Sequence, residues 1–282
     1  MRFPLPAALL LLVAGCAVPP PRAATAKPAA TVPASTAAAM APSPGKSYLA
    51  ADAFDILQVI PPAPLAGDAR ADADRRIFRD TRAMQDSPRW QMAHDDADLS
   101  TPRMLKDFAC SLDLDIDASQ APRLVQLLQQ ATRDTSRGAG IAKDYYKHQR
   151  PFFVDTGPIC VAPETVGKTY DYPSGHATVG WTWGLLLAQV APVHATAVLA
   201  RGRAIGDSRI VCGVHNASAV EAARLGVGAA MTLVTASADY RADLDAARSE
   251  YAQLDRAARS RPDAASCRAE SELVALPVLP HT

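Results

Sequence analysis

The 282-residue sequence has no excess of charge of either sign, since 29 lysine and arginine residues stand against 29 aspartate and glutamate residues. Without a basic excess, little is available to neutralise a phosphodiester backbone, which argues against a nucleic-acid-binding protein. Aromatic residues make up only 6% of the chain, and no useful segment alternates apolar and polar residues as a half-buried strand does. Because alanine is very common, the composition favours helices over sheets.

Beyond the N-terminus, the chain also lacks an apolar run of the roughly 20 residues that a bilayer span needs. The most apolar stretch, residues 177–192, contains Gly184 and Gln189 and ends at proline, and we interpret it as a buried core helix. Apolar residues at i, i+3, i+4 and i+7 predict helices within 119–134 and 239–257. Further helices are predicted at about 69–86, 137–149, 176–190, 194–206 and 216–236.

Cysteine is scarce, and the five cysteines show no spacing of a zinc site. Leaving out Cys16, four cysteines allow three pairings. We favour Cys110 with Cys160 and leave Cys212 and Cys267 unplaced. Cys212 lies among apolar residues, a setting that favours a buried free thiol.

Residues 1–16, MRFPLPAALLLLVAGC, have the pattern of a secretory signal, with Arg2 followed by an apolar segment from Leu5 to Ala14. The ending VAGC matches a lipobox, which predicts that Cys16 is lipidated; an ordinary cleaved signal is the alternative. Ala17 after the cysteine is typical of outer-membrane sorting in diderm bacteria. The expected location is therefore periplasm-facing, on an outer-membrane lipid anchor or, alternatively, soluble in the periplasm.

The composition then divides the rest of the chain. Residues 17–46 are mostly Ala, Pro, Thr and Ser, too polar and proline-rich to form a core, and are interpreted as a disordered tether. Residues 47–257 form the predicted helical domain, and residues 258–282 are predicted to be a weakly ordered tail.

Three short motifs carry the candidate chemistry, and the first is KDYYKHQRP. Lys143 and Arg150 stand seven residues apart, so a helix through both would place the two cations on one face. Pro151 disfavours helix at Arg150, which places the arginine at a helix end, free to point into a cleft. The alternative is a solvated basic face that includes Lys147.

The second motif is YPSGHATVGW. Pro173, Ser174 and Gly175 form a turn that opens into a helix, whose free N–H groups point at any bound anion. His176 follows in the first turn, where it can hand a proton to the bound group. The alternative is a capped helix with an incidental histidine.

The third motif is SRIVCGVH. Gly213 predicts a helix end, after which His215 begins the next helix. Without this break, Arg209 and His215 would lie about 240° apart around one helix; with it, both can face one pocket. A lone histidine here is otherwise more typical of a structural residue.

Together the motifs supply three cations, an anion-binding helix start and two histidines, but no carboxylate cluster for a divalent metal. No cofactor or metal is expected. Fixed cations and N–H groups can stabilise the charge of a transferred phosphoryl group. One histidine can act as nucleophile and the other as acid. The inventory indicates metal-free phosphoryl transfer.

The order Lys-x6-Arg-Pro, Pro-Ser-Gly-His, Ser-Arg-x5-His strongly resembles the bacterial class A non-specific acid phosphatases, within the superfamily of type 2 phosphatidic acid phosphatases and vanadium haloperoxidases. The resemblance runs from about Ile60 to about Tyr251. It implies an all-α helical bundle that forms homo-oligomers and hydrolyses phosphomonoesters such as nucleotides, aryl phosphates or sugar phosphates.

Site roles follow from the same resemblance. It implies that His215 forms a phosphohistidine and that His176 protonates the leaving oxygen. It also implies that the phosphate is held by five further residues: Lys143, Arg150, Ser174, Gly175 and Arg209.

The sequence departs from the family at one position. The family continues His-x3-Asp, and that aspartate braces the nucleophilic imidazole, but here the position holds Ala219. Glu221 lies about 240° around the helix from His215 and should face elsewhere. Asn216 directly follows His215, where the family commonly has an aromatic residue. We therefore expect intact phosphate binding and reduced turnover.

Three other functions are weighed against a slow phosphatase. Ala219 favours a catalytically disabled homologue that binds phosphate or a phosphorylated ligand. An integral lipid phosphatase is disfavoured by the lack of spanning segments, and a vanadium haloperoxidase by the spacing of the motifs.

Overall fold

The computed structural model describes residues 46–258 and 261–279, and every regular element within these ranges is helical. The α-helices are α1 Ala69–Thr81, α2 Pro88–Asp95, α3 Thr101–Asp107, α4 Ala109–Leu112, α5 Pro122–Tyr146, α6 Pro163–Val166, α7 Gly175–Val190, α8 Ala195–Val211, α9 Ala217–Ala236, α10 Ala238–Ala257 and α11 Ala264–Ala275. The predicted all-α fold is confirmed. The predicted signal peptide, Cys16 and residues 17–45 of the tether lie outside the described residues.

The long helices follow the predicted apolar stripes. On α5, Leu124, Leu127 and Leu128 are completely buried, and on α10 Leu244 and Tyr251 lie in the same core. One boundary was wrong: the two helices predicted at 119–134 and 137–149 are a single helix, α5, which ends at Tyr146.

Helices α7 and α8 pack closely because glycine lines their contact. A Cβ atom on Gly180 would lie 2.7 Å from the side chain of Ile205, and one on Gly202 would lie 2.7 Å from the carbonyl oxygen of Gly180. The chain reverses between the two helices through a 3-10 turn at Pro192–His194. The first turn of α7 therefore lies at the same end of the bundle as the last turn of α8.

Helix α7 is a buried core helix, as predicted from its interrupted apolar run. Leu186 and Leu187 have no exposed surface. Among the described residues, one helix, α9, is long and apolar enough to cross a membrane by length and composition, and half of its most apolar window is buried.

The disulfides correct the cysteine prediction. Cys110 is bonded to Cys267, and Cys160 is bonded to Cys212. The favoured pairing of Cys110 with Cys160 was wrong, and Cys212 is not a free thiol. Cys212 caps the end of α8, and its carbonyl oxygen accepts a hydrogen bond from the Cys160 N–H at 3.1 Å, so tertiary packing brings the two cysteines together.

The C-terminal segment is also more ordered than the predicted weakly ordered tail from residue 258. Asp263 caps α11 by accepting from the Ser266 N–H at 2.8 Å. The bond from Cys267 to Cys110 joins α11 to α4, and Glu270 lies 3.5 Å from the guanidinium of Arg201 on α8. The folded domain therefore extends past the predicted boundary at 257.

Candidate active site

Four helix termini meet at one end of the bundle: the end of α5, the start of α7, the end of α8 and the start of α9. The Ser174 N–H donates to the Ala219 carbonyl oxygen at 2.9 Å, which joins the starts of α7 and α9. This end of the bundle holds all of the predicted site residues of the helical domain: Lys143, Arg150, Ser174, Gly175, His176, Arg209 and His215.

Arg150 is buried and fixed by four contacts. Its Nε donates to the Thr169 carbonyl oxygen at 2.9 Å and Nη2 to Thr169 Oγ1 at 2.6 Å. Its Nη1 donates to the Val214 carbonyl oxygen at 2.6 Å and faces His215 Nε2 at 3.1 Å. Burial lowers the pKa of Arg150 to about 10, so the guanidinium keeps its charge in neutral solution.

Lys143 reaches the same pocket by a route that the sequence did not predict. Helix α5 ends between Lys143 and Arg150, with Lys147 in the left-handed region at φ 48°. The prediction that both cations lie on one face of a single helix was therefore wrong. A turn after α5 brings Arg150 to Lys143. The Lys143 ammonium donates to the Tyr170 carbonyl oxygen. Burial, followed by the charge of Arg150, lowers the pKa of Lys143 to about 7.

The start of α7 has the predicted form. Ser174 is the N-cap, and its Oγ accepts from the Ala177 N–H at 3.3 Å. Gly175 and His176 then provide first-turn N–H groups, which in any helix lack a partner one turn back and attract anions.

His176 and Arg209 are both anchored to the segment at the end of α2. His176 Nε2 lies 3.1 Å from the Ala97 carbonyl oxygen, and Arg209 Nη1 donates to the Ala93 carbonyl oxygen at 3.0 Å. Burial, followed by the charge of Arg209, lowers the pKa of His176 well below its usual value. Arg209 Nε is buried and has no hydrogen-bond partner within the described ranges.

A buried ionic cluster holds this segment against α8. The Asp96 carboxylate accepts from the Arg201 guanidinium at 2.5 Å and from Ser208 Oγ at 2.5 Å. Arg89 in turn donates to Ser208 Oγ at 2.8 Å. Because Ser208 precedes Arg209, the cluster fixes the position of Arg209 at the end of α8.

The turn that places His215 depends on Gly213. Gly213 has φ +76°, and a Cβ atom there would lie 2.4 Å from Arg82 Nη1. The Arg82 guanidinium occupies this space because it donates to the carbonyl oxygens of Ile210 and Val211 at the end of α8. The predicted break between α8 and α9 is confirmed.

The imidazole of His215 is braced by a carboxylate that sequence reasoning missed. Asp171 Oδ1 accepts from His215 Nδ1 at 2.8 Å and from the Asn216 N–H at 3.2 Å. Asp171 Oδ2 accepts from Asn216 Nδ2 at 2.8 Å and lies 3.1 Å from His148 Nδ1. Burial acts to raise the pKa of Asp171, but hydrogen bonds with His148 and His215 outweigh it and hold that pKa well below its usual range.

The premise that His215 lacks a bracing carboxylate was therefore wrong. Ala219 is completely buried in an apolar cluster with Ile56, Ile60 and Tyr172, and Glu221 is exposed, as expected from its helical angle. Asp171 lies 44 residues before His215. The one sequence signal that could have revealed it is an acidic residue directly before the YPSGH motif.

These contacts fix the tautomer of His215. An ionised carboxylate only accepts and an arginine only donates, so Nδ1 carries the proton and Nε2 keeps its lone pair. Burial, followed by the charge of Arg150, lowers the pKa of His215 to about 3. The ring is neutral above that pH, and the Nε2 lone pair faces the Arg150 guanidinium at 3.1 Å.

Within residues 46–258 and 261–279, no group of three or more His, Cys, Asp or Glu side chains is arranged to hold a metal ion. The concentrated charge of this pocket is instead that of Lys143, Arg150 and Arg209. Lys143 and Arg150 act on the neutral His215 ring, and Arg209 acts on His176. A group of fixed cations of this kind suits a tetrahedral oxyanion.

Comparison with known proteins shows similarity to the PAP2 superfamily and to bacterial acid phosphatases. The profile of the PAP2 superfamily matches residues 127–243, a range that holds every predicted catalytic and phosphate-binding residue. An acid phosphatase of Zymomonas mobilis is 37% identical over 218 residues, covering 77% of this chain and 82% of that protein. A non-specific acid phosphatase of Providencia stuartii is 30% identical over 205 residues, covering 72% and 83%. One of Salmonella typhimurium is 33% identical over 169 residues, covering 58% and 67%.

Proposed function

The chain belongs to the non-specific acid phosphatases of the PAP2 superfamily and is a phosphatase, and from this premise we propose that it is an exported, metal-independent phosphomonoesterase that acts through a phosphohistidine on His215. The observation that carries the proposal is the line of contacts from Asp171 through the His215 ring to Arg150. It supplies an unprotonated Nε2 next to a site for the phosphoryl group.

In the first step, the His215 Nε2 lone pair attacks phosphorus, and the bond from phosphorus to the ester oxygen breaks. Positive charge develops on the imidazole as the N–P bond forms. Asp171 stabilises that charge through the hydrogen bond to Nδ1, and because the carboxylate is already in place it needs no reorganisation.

The phosphoryl oxygens meet the fixed cations. Arg150 lies beside the attacking nitrogen, and the buried Nε of Arg209 is a donor that an anion can satisfy. The N–H groups at the start of α7 add the partial positive charge of a helix N-terminus. This set supplies the charge stabilisation that a phosphoryl-transfer transition state requires.

His176 is the proposed acid for the leaving oxygen. Its Nε2 hydrogen is directed at the Ala97 carbonyl oxygen, so Nδ1 must take up a proton as the substrate binds and then pass that proton to the leaving oxygen. Burial, followed by the charge of Arg209, depresses the pKa of His176, and the negative charge of a bound substrate acts in the opposite direction. Water then attacks phosphorus, His176 takes a proton from that water, and the N–P bond breaks, which returns the lone pair to His215 Nε2 and releases inorganic phosphate.

The brace from Asp171 favours turnover over a disabled homologue. The expectation of slow hydrolysis, and the alternative of a protein that only binds phosphate, both depended on Ala219 leaving His215 without a carboxylate. Asp171 supplies that carboxylate from the segment before α7. We therefore propose that the enzyme is catalytically competent.

Export is supported by the two disulfides within the described structure, because such bonds persist in oxidising compartments. The signal-peptide pattern and the lipobox at Cys16 add a proposed lipid anchor facing the periplasm. The proposed substrates are nucleotides, aryl phosphates and sugar phosphates, and the proposed assembly is a homo-oligomer.

The test is to trap the intermediate. The purified full-length protein is mixed with ³²P-labelled substrate in the presence of a chelator and quenched in alkali, in which phosphohistidine survives. We expect label on His215 and turnover that resists the chelator. Labelling that persists in His215→Ala, or turnover that the chelator abolishes, would refute the mechanism.

A further inference from the structure

His148 is the second histidine on the bracing carboxylate, and its own contacts fix its charge. Its Nδ1 lies 3.1 Å from Asp171 Oδ2, and its Nε2 lies 3.1 Å from the Pro64 carbonyl oxygen. Both partners only accept hydrogen bonds while Asp171 is ionised. A neutral imidazole has one N–H, so the ring satisfies both partners only as the doubly protonated imidazolium.

The charges around His148 favour that cation. Asp171 contacts the ring, and the charge of Asp74 on α1 also acts on it, while Lys147 and Arg75 line the same cavity. The hydrogen bond with Asp171 raises the pKa of His148 above its usual value, and burial opposes the shift. The imidazolium is thus present below the raised pKa and is lost as the pH rises through it.

His148 also connects the buried Asp171 carboxylate to solvent. Its side chain is 24% exposed, whereas that of His215 is 2% exposed and that of Asp171 is completely buried. It lines a cavity of about 400 Å³, together with Pro64, Gly67, Asp74, Tyr146 and Asn216. Lys143, Arg150, Ser174 and His215 do not line this cavity. The cavity therefore gives solvent access to His148 and Asn216, the two donors to Asp171 Oδ2, at a place separate from the proposed phosphate site.

We propose that His148 is a positioning residue. As an imidazolium held between Pro64 and Asp171, it fixes the Asp171 carboxylate so that Oδ1 faces His215. When His148 loses a proton to solvent, the Asp171 carboxylate is released. The inference rests on the proposed function of His215. His148 and Asn216 share Oδ2, so the loss of either donor lets the carboxylate rotate. With His148 neutral, one of its ring nitrogens presents a lone pair to an oxygen whichever tautomer it adopts.

The proposal predicts how kcat depends on pH. We expect kcat to fall about tenfold as His148 deprotonates, which is the size of effect that the loss of one hydrogen bond to a charged group produces. KM should change little, because the His148 side chain is hydrogen-bonded to Asp171 and Pro64 rather than, within the described structure, to a proposed phosphate-binding residue. His148→Arg keeps a permanent cation and should remove this alkaline limb of kcat, whereas His148→Gln should lower kcat about tenfold at acidic pH and flatten the profile.

The experiment measures kcat and KM from pH 4 to 9 for the full-length protein and both variants. His194→Gln is the control, because His194 lies at the opposite end of α7 and α8. A wild-type profile in both His148 variants would overturn the proposal. So would a change confined to KM, which would make His148 a substrate-binding residue.

A second readout does not depend on turnover. Nuclear magnetic resonance of the ring-¹⁵N-labelled protein follows the protonation of each histidine and the Nδ1 proton of His215. We expect His148 to titrate with a raised midpoint and the His215 Nδ1 proton to shift with the same midpoint. A neutral His148 throughout this range overturns the proposal, while an inactive wild-type protein that shows both titrations refutes only the proposed function.

Discussion

Replacing Asp171 by asparagine keeps the size of the bracing side chain but removes its charge and turns one oxygen into a donor. The remaining oxygen can accept from His215 or from His148, but not from both. If the NH₂ group of the new asparagine faces His215, the ring must accept a hydrogen bond at Nδ1 and carry its own proton on Nε2. The nucleophilic nitrogen is then blocked.

The size of the effect follows from these two losses. A hydrogen bond to a charged group contributes about 1.5–3 kcal/mol, which corresponds to a loss of roughly 10- to 150-fold. Where the same substitution imposes the wrong histidine tautomer in a serine-protease triad, kcat falls about 10⁴-fold. We expect kcat of Asp171→Asn to fall between about 10² and 10⁴-fold. KM should change little, because the carboxylate contacts His215, Asn216 and His148, whereas the contact of Asp171 with Lys143 is made by its carbonyl oxygen, which the substitution keeps.

The assay is steady-state hydrolysis of an aryl phosphate by the full-length protein, with phosphate affinity measured by inhibition. Glu221→Gln is the matched control, since Glu221 is an exposed acidic residue near the same end of α9 and should leave kcat unchanged. Circular dichroism confirms that each variant is folded. A folded Asp171→Asn protein that keeps more than a tenth of wild-type kcat would refute the role of the brace.

Three further predictions follow from the same geometry. Ala219→Asp places a second carboxylate in an apolar cluster, so we expect about 3–5 kcal/mol of lost stability and lower activity, measured by denaturant unfolding and kcat; a stable and faster variant would contradict this. Reduction of the bond between Cys160 and Cys212 should weaken phosphate binding, because Cys212 Sγ lies 3.4 Å from Arg209 Nη2; an unchanged phosphate inhibition constant in Cys212→Ser would count against it. Lys143, whose pKa burial lowers to about 7, is a cation below that pH and neutral above it, so phosphate inhibition should weaken as pH rises through about 7. Lys143→Arg should flatten that dependence, and an identical slope in both proteins would exclude the lysine as its source.

Sequence reasoning succeeded where the information is local. The apolar stripes of α5 and α10, the capped start of α7 at Ser174 and the break at Gly213 all depend on residues within a turn or two of one another. Periodicity and capping are short-range properties, so they can be read along the chain.

It failed where the outcome depends on which segments pack together. Cys212 pairs with Cys160 because the end of α8 lies against the segment before α6, and periodicity says nothing about that neighbour. The helical repeat of α9 predicts only which residues of that helix, such as Ala219 and Glu221, lie near His215 or away from it, and Asp171 belongs to another segment.

By itself, the sequence determined the chemical inventory of this protein: three cations, two histidines and a helix start, carried by motifs whose spacing places each at a helix terminus. Only the tertiary structure decided how the nucleophile is held. Asp171 precedes α7 and His215 precedes α9, so their contact exists because the starts of those two helices pack side by side. A carboxylate can brace an imidazole from any segment that brings its oxygen within hydrogen-bond distance, and that distance is set by the fold rather than by position along the chain.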